Sequence, residues 1–403
     1  MSEWKKVKLG ELYEVHNGLS KGRQFFGSGY PFLTFSNVFN NWFLPEELES
    51  LVQSSEKERQ TCSIKKGDVF ITRTSETMDE LGMSSVALKD YPNATYNGFT
   101  KRLRPLTDEV IPEYIGYYLR SPKFRGKFMA FSTMTTRASL ANDDLLSMEV
   151  ELPDKITQQR IASTLSRYDS LIENYQKQIK LLEESAQRLY KEWFIDLRFP
   201  GHESTKIVDG VPEGWEKKKI KDLVDLKSGY AFKSSAFVGE GKYKIVTIKN
   251  VKDGVFDGDN VSYLNTLPEK MPSHCILQTG DILLSLTGNV GRICMVVGDN
   301  YLLNQRVAKL ESKFPAFTYC LFRHYDTFVA INNLANGAAQ QNVSPIRIGE
   351  MDMLVANDKI MHHFEKAAEN IRTNILNLFS QIRHLTEARD RLLPKLMSGE
   401  IEV

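Results

Sequence analysis

The stretch Phe25-Phe26-Gly27-Ser28-Gly29 comes closest to a catalytic signature in this sequence. It matches F-x-G-x-G, a pattern whose glycines let the backbone close around S-adenosylmethionine for methyl transfer. That chemistry needs an apolar strand before the glycines and a helix after them. Here LSKGRQ precedes and YPFLTF follows, so FFGSG reads as a surface turn. The tetrapeptide (D/N)PP(Y/F), which would hold an extruded adenine, does not occur, nor do a Walker A loop, HExxH or GxSxG. His362–His363 has no acidic or cysteine companions and reads as an exposed helical face rather than a metal site. Cys62, Cys275, Cys294 and Cys320 form no CxxC pair and read as buried free thiols. By motif, the chain has no chemistry of its own, no metal and no cofactor.

Recognition chemistry is what remains. Arginine pairs bidentately with guanine, and asparagine or glutamine with adenine, in the major groove. The donor-rich segments STMTTRAS (132–139) and NGAAQQNVS (336–344) align when 203 is subtracted from the later numbering, which sets Arg137 opposite Gln340. Thr135, Thr136 and Arg137 in the first segment, and Gln340, Gln341 and Asn342 in the second, are therefore candidates to touch bases. Local basic excess suits phosphate contacts. Residues 101–137 hold eight basic side chains against three acids, and residues 214–250 hold nine lysines against four acids. Arg73, Thr74, Lys101, Arg102, Lys233, Thr287, Asn289, Gln305 and Arg306 complete the candidate DNA contacts. With a net charge of only +1, binding must come from such patches and not from a global field.

The elements that must position these residues are written twice. Phe364, Ala368, Ile371, Ile375, Leu378, Ile382, Leu385, Arg389, Leu392 and Leu396 follow alternating steps of four and three, a heptad seam with one polar intruder. Subtracting 203 gives Ile161, Leu165, Tyr168, Ile172, Tyr175, Ile179, Leu182, Ala186, Leu189 and Trp193, a second seam in the same register. Upstream, GWEKKKIKDLVDLKSG (214–229) echoes EWKKVKLGELYEVHNG (3–18), with Trp215 answering Trp4 and Gly229 answering Gly18. QTGDILLSLTGNVGRICMVV likewise echoes KKGDVFITRTSETMDELGMSSVAL.

The expected architecture is α+β: two globular α/β domains and two long helices pairing as an antiparallel coiled coil under an internal pseudo-two-fold repeat. Expected boundaries are 1–152, a helix over 153–199, a linker with the second globular domain over 200–355, and a second helix over 356–403. Pairing falls to Leu165, Tyr168, Ile172, Tyr175, Ile179 and Leu182 against Ile371, Ile375, Leu378, Ile382, Leu385 and Leu392. Strands are expected within DVFITR (68–73), YKIVTIKNV (243–251) and GDILLSL (280–286), and short helices within 112–121 and 316–325. RFPGHESTKIVDGVPEGWE (198–216) reads as the linker. No apolar run approaches a membrane span, and the start MSEWKKVKLGELYEV lacks an apolar h-region, so a cytoplasmic location is expected.

On RDRLLPKLMSGEI at the C-terminus, VPEGWEKKKIKDL, QQRIASTLSRYDSLIE and NGAAQQNVS, the chain resembles the specificity (S) subunit of Type I restriction–modification systems over essentially its whole length. The resemblance implies two target-recognition domains, each reading half of an interrupted site on double-stranded DNA, with the helices as spacer and docking platform. It implies modification subunits, two of them, that bind S-adenosylmethionine and methylate adenine at N6. It also implies restriction subunits that use ATP and Mg to translocate and cut DNA. Two rivals are a self-contained adenine methyltransferase with a fused recognition region, and a coiled-coil scaffold with no DNA role.

Overall fold

The computed structural model describes residues 4–75, 81–131, 133–134, 138–139, 141–335 and 341–403. The chain forms two compact units, one of residues 1–172 with 385–403, the other of 173–384.

In the first unit a four-stranded antiparallel sheet has the order Tyr13–Asn17, Thr100–Pro105, Val69–Thr72, Ser84–Val86. Val69–Thr72 is buried along its whole length, as its apolar and β-branched run anticipates. Pro112–Arg120 starts on a proline, whose fixed φ suits a helix's first turn, and buries Tyr114, Tyr117 and Tyr118. Lys5–Lys8 pairs with Glu149–Leu152. A three-stranded sheet contains Phe26–Leu33, and here the expected surface turn is corrected. FFGSG enters an exposed strand whose pairing with Leu51–Val52 is interrupted by a bulge between Phe26 and Tyr30. Gly27 and Gly29 sit there at φ 98° and 106°, which side chains with a Cβ rarely adopt.

The second unit repeats this plan. Its main antiparallel sheet has the order Val224–Ser228, Val307–Ser312, Ile282–Ser285, Ile293–Met295. Pro315–Arg323 again begins on proline, and Glu216–Lys219 pairs with Asp352–Val355. The strand expected over 243–251 stops at Val246, because Asn250 Oδ1 accepts from Thr247 N at 2.7 Å and turns the chain. Within the expected linker, Ile207–Val208 and Val211–Pro212 form a tight hairpin. Asp209 and Gly210 hold its turn at φ 50° and 76°, as the Asp-Gly pair favours.

The two long helices span Lys155–Tyr190 and Asp358–Ser398. Both passages of the chain from one unit to the other, at 172–173 and at 384–385, fall inside them. They run antiparallel. In the first unit, Ile161, Ala162 and Leu165 from the beginning of the first helix share a core with Leu393, Leu396 and Met397 from the end of the second. In the second unit, Ile179, Ala186 and Tyr190 share a core with Ile360, Phe364, Ala368 and Ile375. Leu182, Ile371, Leu378 and Ile382 pack against that core and Leu392 against the first, while Tyr168, Ile172, Tyr175 and Leu385 are half-buried. Each helix end therefore both meets its partner helix and closes a globular core. The apolar stripe persists to Met397 because Val7, Tyr114 and Leu119 lie beneath it. Gly399, at φ 73°, then ends the helix, with Glu400 N donating to Lys395 O at 3.0 Å.

The polar intruder in the seam is an inter-helix ion pair. Arg389 Nη1 donates to Asp169 Oδ1 at 2.6 Å, Tyr117 Oη donates to Asp169 Oδ2, and the guanidinium lies 5.1 Å from the Trp42 ring centre. Replacing Arg389 by alanine leaves a half-buried carboxylate with one neutral partner. We expect the variant to be less stable by about 2–3 kcal/mol in denaturant unfolding, toward the low end for a broken buried pair because Asp169 retains some water. A loss under 0.5 kcal/mol would mean the pair is structurally idle.

No helix among the described residues is long and apolar enough to cross a membrane.

Candidate nucleic-acid interface

In the second unit three loops converge at one end of the main sheet. Residues 286–289 leave the strand Ile282–Ser285, residues 304–306 enter Val307–Ser312, and residues 341–344 lead into the short helix Pro345–Gly349, whose first turn Ser344 Oγ caps. Main-chain bonds zip them together: Leu286 N to Arg306 O, Val343 N to Leu286 O and Gly288 N to Gln341 O, all at 3.0 Å. Thr287 Oγ1 donates to Asn342 Oδ1 at 3.0 Å. The result is an open polar cleft of about 540 Å³, lined among others by Ser228, Thr287, Gln305, Arg306, Asn342 and Ser344. Thr287 is buried as a strut, while Gln305, Arg306, Gln341 and Asn342 are exposed. A fixed backbone presenting exposed amide and guanidinium groups is what base-edge reading requires. Asn289 is exposed at its loop's tip, and Lys233 is exposed on the segment that continues from Ser228.

The first unit builds the corresponding place from different side chains. Thr74 pairs with Ser139 in a short strand ladder, as Thr287 bridges to Asn342, so the alignment of the two polar segments is realised as the same pairing. Arg73 is half-buried and its Nη1 donates to Asn17 Oδ1 at 3.3 Å. Thr135, Thr136, Arg137 and Gln340 lie outside the described residues.

Lys101 and Arg102 are corrected. They are 4% and 2% exposed. Lys101 Nζ donates to Asn142 Oδ1, and Arg102 Nη1 donates to Ser63 O at 2.7 Å and to Thr61 O at 3.3 Å. Burial, with the Arg73 charge nearby, holds the Lys101 ammonium below its usual range. Both side chains are thus buried and spent on bonds within the fold, which leaves neither exposed for a DNA contact. The rest of the described 101–137 basic stretch is also engaged in the fold. Arg104 pairs with Asp68 at 2.6 Å, Lys123 and Lys127 with Glu151 at 2.5 and 3.2 Å, and Arg125 donates to Leu81 O at 2.5 Å. In the later stretch Lys218, Lys219, Lys221 and Lys227 pair with carboxylates, whereas Lys217, Lys233 and Lys249 are exposed.

Ser228 and Ser344 were not anticipated from the sequence. The signal for Ser228 lay in the glycine after it: a Cβ on Gly229 would stand 2.2 Å from Asn304 O, and one on its counterpart Gly18 2.0 Å from Asn97 O. Both glycines let the end of one strand press on the loop entering the next.

Among the described residues no group of His, Cys, Asp or Glu is placed to hold a metal ion. The four cysteines are buried, and burial pushes the Cys294 and Cys320 thiols well above their usual range, which makes them poor nucleophiles.

A family model described as the Type I restriction modification DNA specificity domain matches residues 1–184 and 212–350. The chain is 25% identical to the Type I restriction enzyme MjaIX specificity subunit of Methanocaldococcus jannaschii, over all of this chain and 94% of the relative. It is 23% identical to the HindI specificity subunit of Haemophilus influenzae over the full length of both. A crystal structure of a Type I restriction–modification S subunit from M. genitalium superposes with a TM-score of 0.58 at 16% identity, covering 98% of this chain and 96% of that one.

Proposed function

The chain belongs to the family of Type I restriction–modification DNA specificity proteins, and on that premise we propose that its two units read the two halves of one interrupted duplex site, each through the loops at the end of its main sheet. It is a non-catalytic subunit that recognises DNA sequence for partner enzymes, which removes the self-contained methyltransferase and the scaffold without a DNA role. The convergence of Gln305, Arg306 and Asn342 on one polar cleft, with Gln341 exposed next to Asn342, carries the assignment of the reading surface. Arg73 and Thr74 occupy the equivalent place in the first unit, Thr135, Thr136 and Arg137 join them as base contacts on the alignment of the two polar segments alone, and Asn289 and Lys233 contact the DNA backbone beside the second cleft.

The finer division of labour follows from the same premise. Two modification subunits carry S-adenosylmethionine and methylate adenine at N6 in the cytoplasm; restriction subunits use ATP and Mg to translocate and cut. The duplicated arrangement of sheet, proline-started helix and long helix suits two copies of one modification subunit.

Alanine at Arg306, or at Asn342, should cost about 1–3 kcal/mol against the cognate duplex and relax selectivity at a single base pair. Binding of the complete chain with its modification partner to duplexes varied at each position is the measurement. Equal weakening on every sequence would make Arg306 a phosphate contact instead.

A further inference from the structure

Phe99 is a large apolar side chain beside the candidate surface of the first unit whose position the core does not explain. The residue is 61% exposed, yet its backbone is held on both sides. Phe99 N donates to Asn97 Oδ1 at 2.8 Å, and Phe99 O accepts from Arg73 N at 2.9 Å. The clamp fixes the main chain that carries a ring gaining little from the fold, since an exposed aromatic leaves most of its apolar area in water.

The repeat says where that ring stands. Phe99 immediately precedes the strand Thr100–Pro105, and Arg306 immediately precedes its counterpart Val307–Ser312. The two loops are anchored alike. Leu19 bridges Asn97 and Tyr230 bridges Asn304, both parallel, with Leu19 N to Tyr96 O at 2.8 Å and Tyr230 N to Leu303 O at 2.9 Å. Gly18 and Gly229 make the matching close approaches to Asn97 and Asn304. Phe99 therefore occupies in the first unit the place of the exposed arginine on the lip of the cleft in the second. Arg73, whose amide holds the Phe99 carbonyl, supplies a cation on the adjoining strand end.

We infer that Phe99 is a specificity-determining residue of the first unit, packing its ring on the 5-methyl group of a thymine in the major groove. The inference rests on the loops being the reading surface. Thymine is the base that offers an apolar group there, and apolar side chains are its natural partners. Arginine at the equivalent lip suits guanine. One scaffold position thus carries a different reader in each unit.

The test uses the complete chain with its modification partner and the mapped cognate duplex. Each thymine of the first half-site, on either strand, is replaced in turn by deoxyuridine, which removes only the methyl group. The expected result is that one replacement weakens the natural protein about fourfold, the worth of one buried methyl, while F99A binds the thymine and deoxyuridine duplexes equally. No deoxyuridine effect at any position, or the full effect retained in F99A, overturns the inference. Arg306→Ala in the same assay separates the two levels. If it loses discrimination in the second half-site while F99A matches the natural protein, the role of Phe99 falls alone. If neither variant alters discrimination, the loops are not the reading surface.

Discussion

Replacing Arg120 by leucine should destabilise the first unit by about 3–5 kcal/mol and abolish recognition of one half-site. Arg120 Nε donates to Ser84 O at 2.6 Å, and Nη2 donates to Val38 O, Phe39 O and Asn41 O at 2.7, 2.8 and 2.9 Å. Its guanidinium also lies 5.6 Å from the Trp42 ring centre. One side chain therefore holds the end of the 35–40 helix, the turn after it and the edge strand Ser84–Val86 against the core. Burial, with the Arg125 charge nearby, lowers its pKa to about 10, so the residue stays charged at neutral pH and the surrounding carbonyls take the place of its water. Leucine fills part of the volume but satisfies none of the four acceptors, each worth about 1–3 kcal/mol when left buried and unpaired. Its counterpart Arg323 meets the same burial with carboxylates, Glu183 at 3.3 Å and Asp253. The loss from Arg120→Leu should thus be specific to the first unit. Denaturant unfolding measures the stability, and half-site binding measures the function. A loss below 1 kcal/mol would show that the carbonyls find water or other donors.

The repeat and the helix seam were legible because they are local and periodic. A heptad read from Phe364 to Leu396 reports which face is covered without saying what covers it, and the structure adds that the covering is a partner helix and a globular core together. The placement of the 341–344 segment beside the second cleft was legible in part because Gln341 and Asn342 are polar residues in a duplicated segment, and that duplication proves to be a strand pairing. The basic stretch after residue 100 misled for a physical reason. Charge counts do not say which way side chains point, and Arg102 sits in a strand flanked by Val69–Thr72 on one side and Tyr13–Asn17 on the other. Its charge is satisfied by carbonyls brought from the loop at 61–63, a contact no local window contains. Phe99 was hidden for the opposite reason: an apolar residue beside a strand is ordinarily assigned to the core.

The second large effect concerns specificity itself, and the structure changes how it must be tested. The core of the first unit includes Leu165 from the first long helix and Leu393, Leu396 and Met397 from the second. Exchanging residues 3–150 alone would mismatch that core. Replacing residues 1–172 and 385–403 together, by those of a relative that reads another site, exchanges the whole unit with the helix segments that close it. Mapping methylated adenines in a host carrying this chimera is the most direct measurement of whether the two units read independently. The predicted outcome is a site in which one half-sequence is the relative's and the other is unchanged. A site altered in both halves, or in neither, would contradict the account.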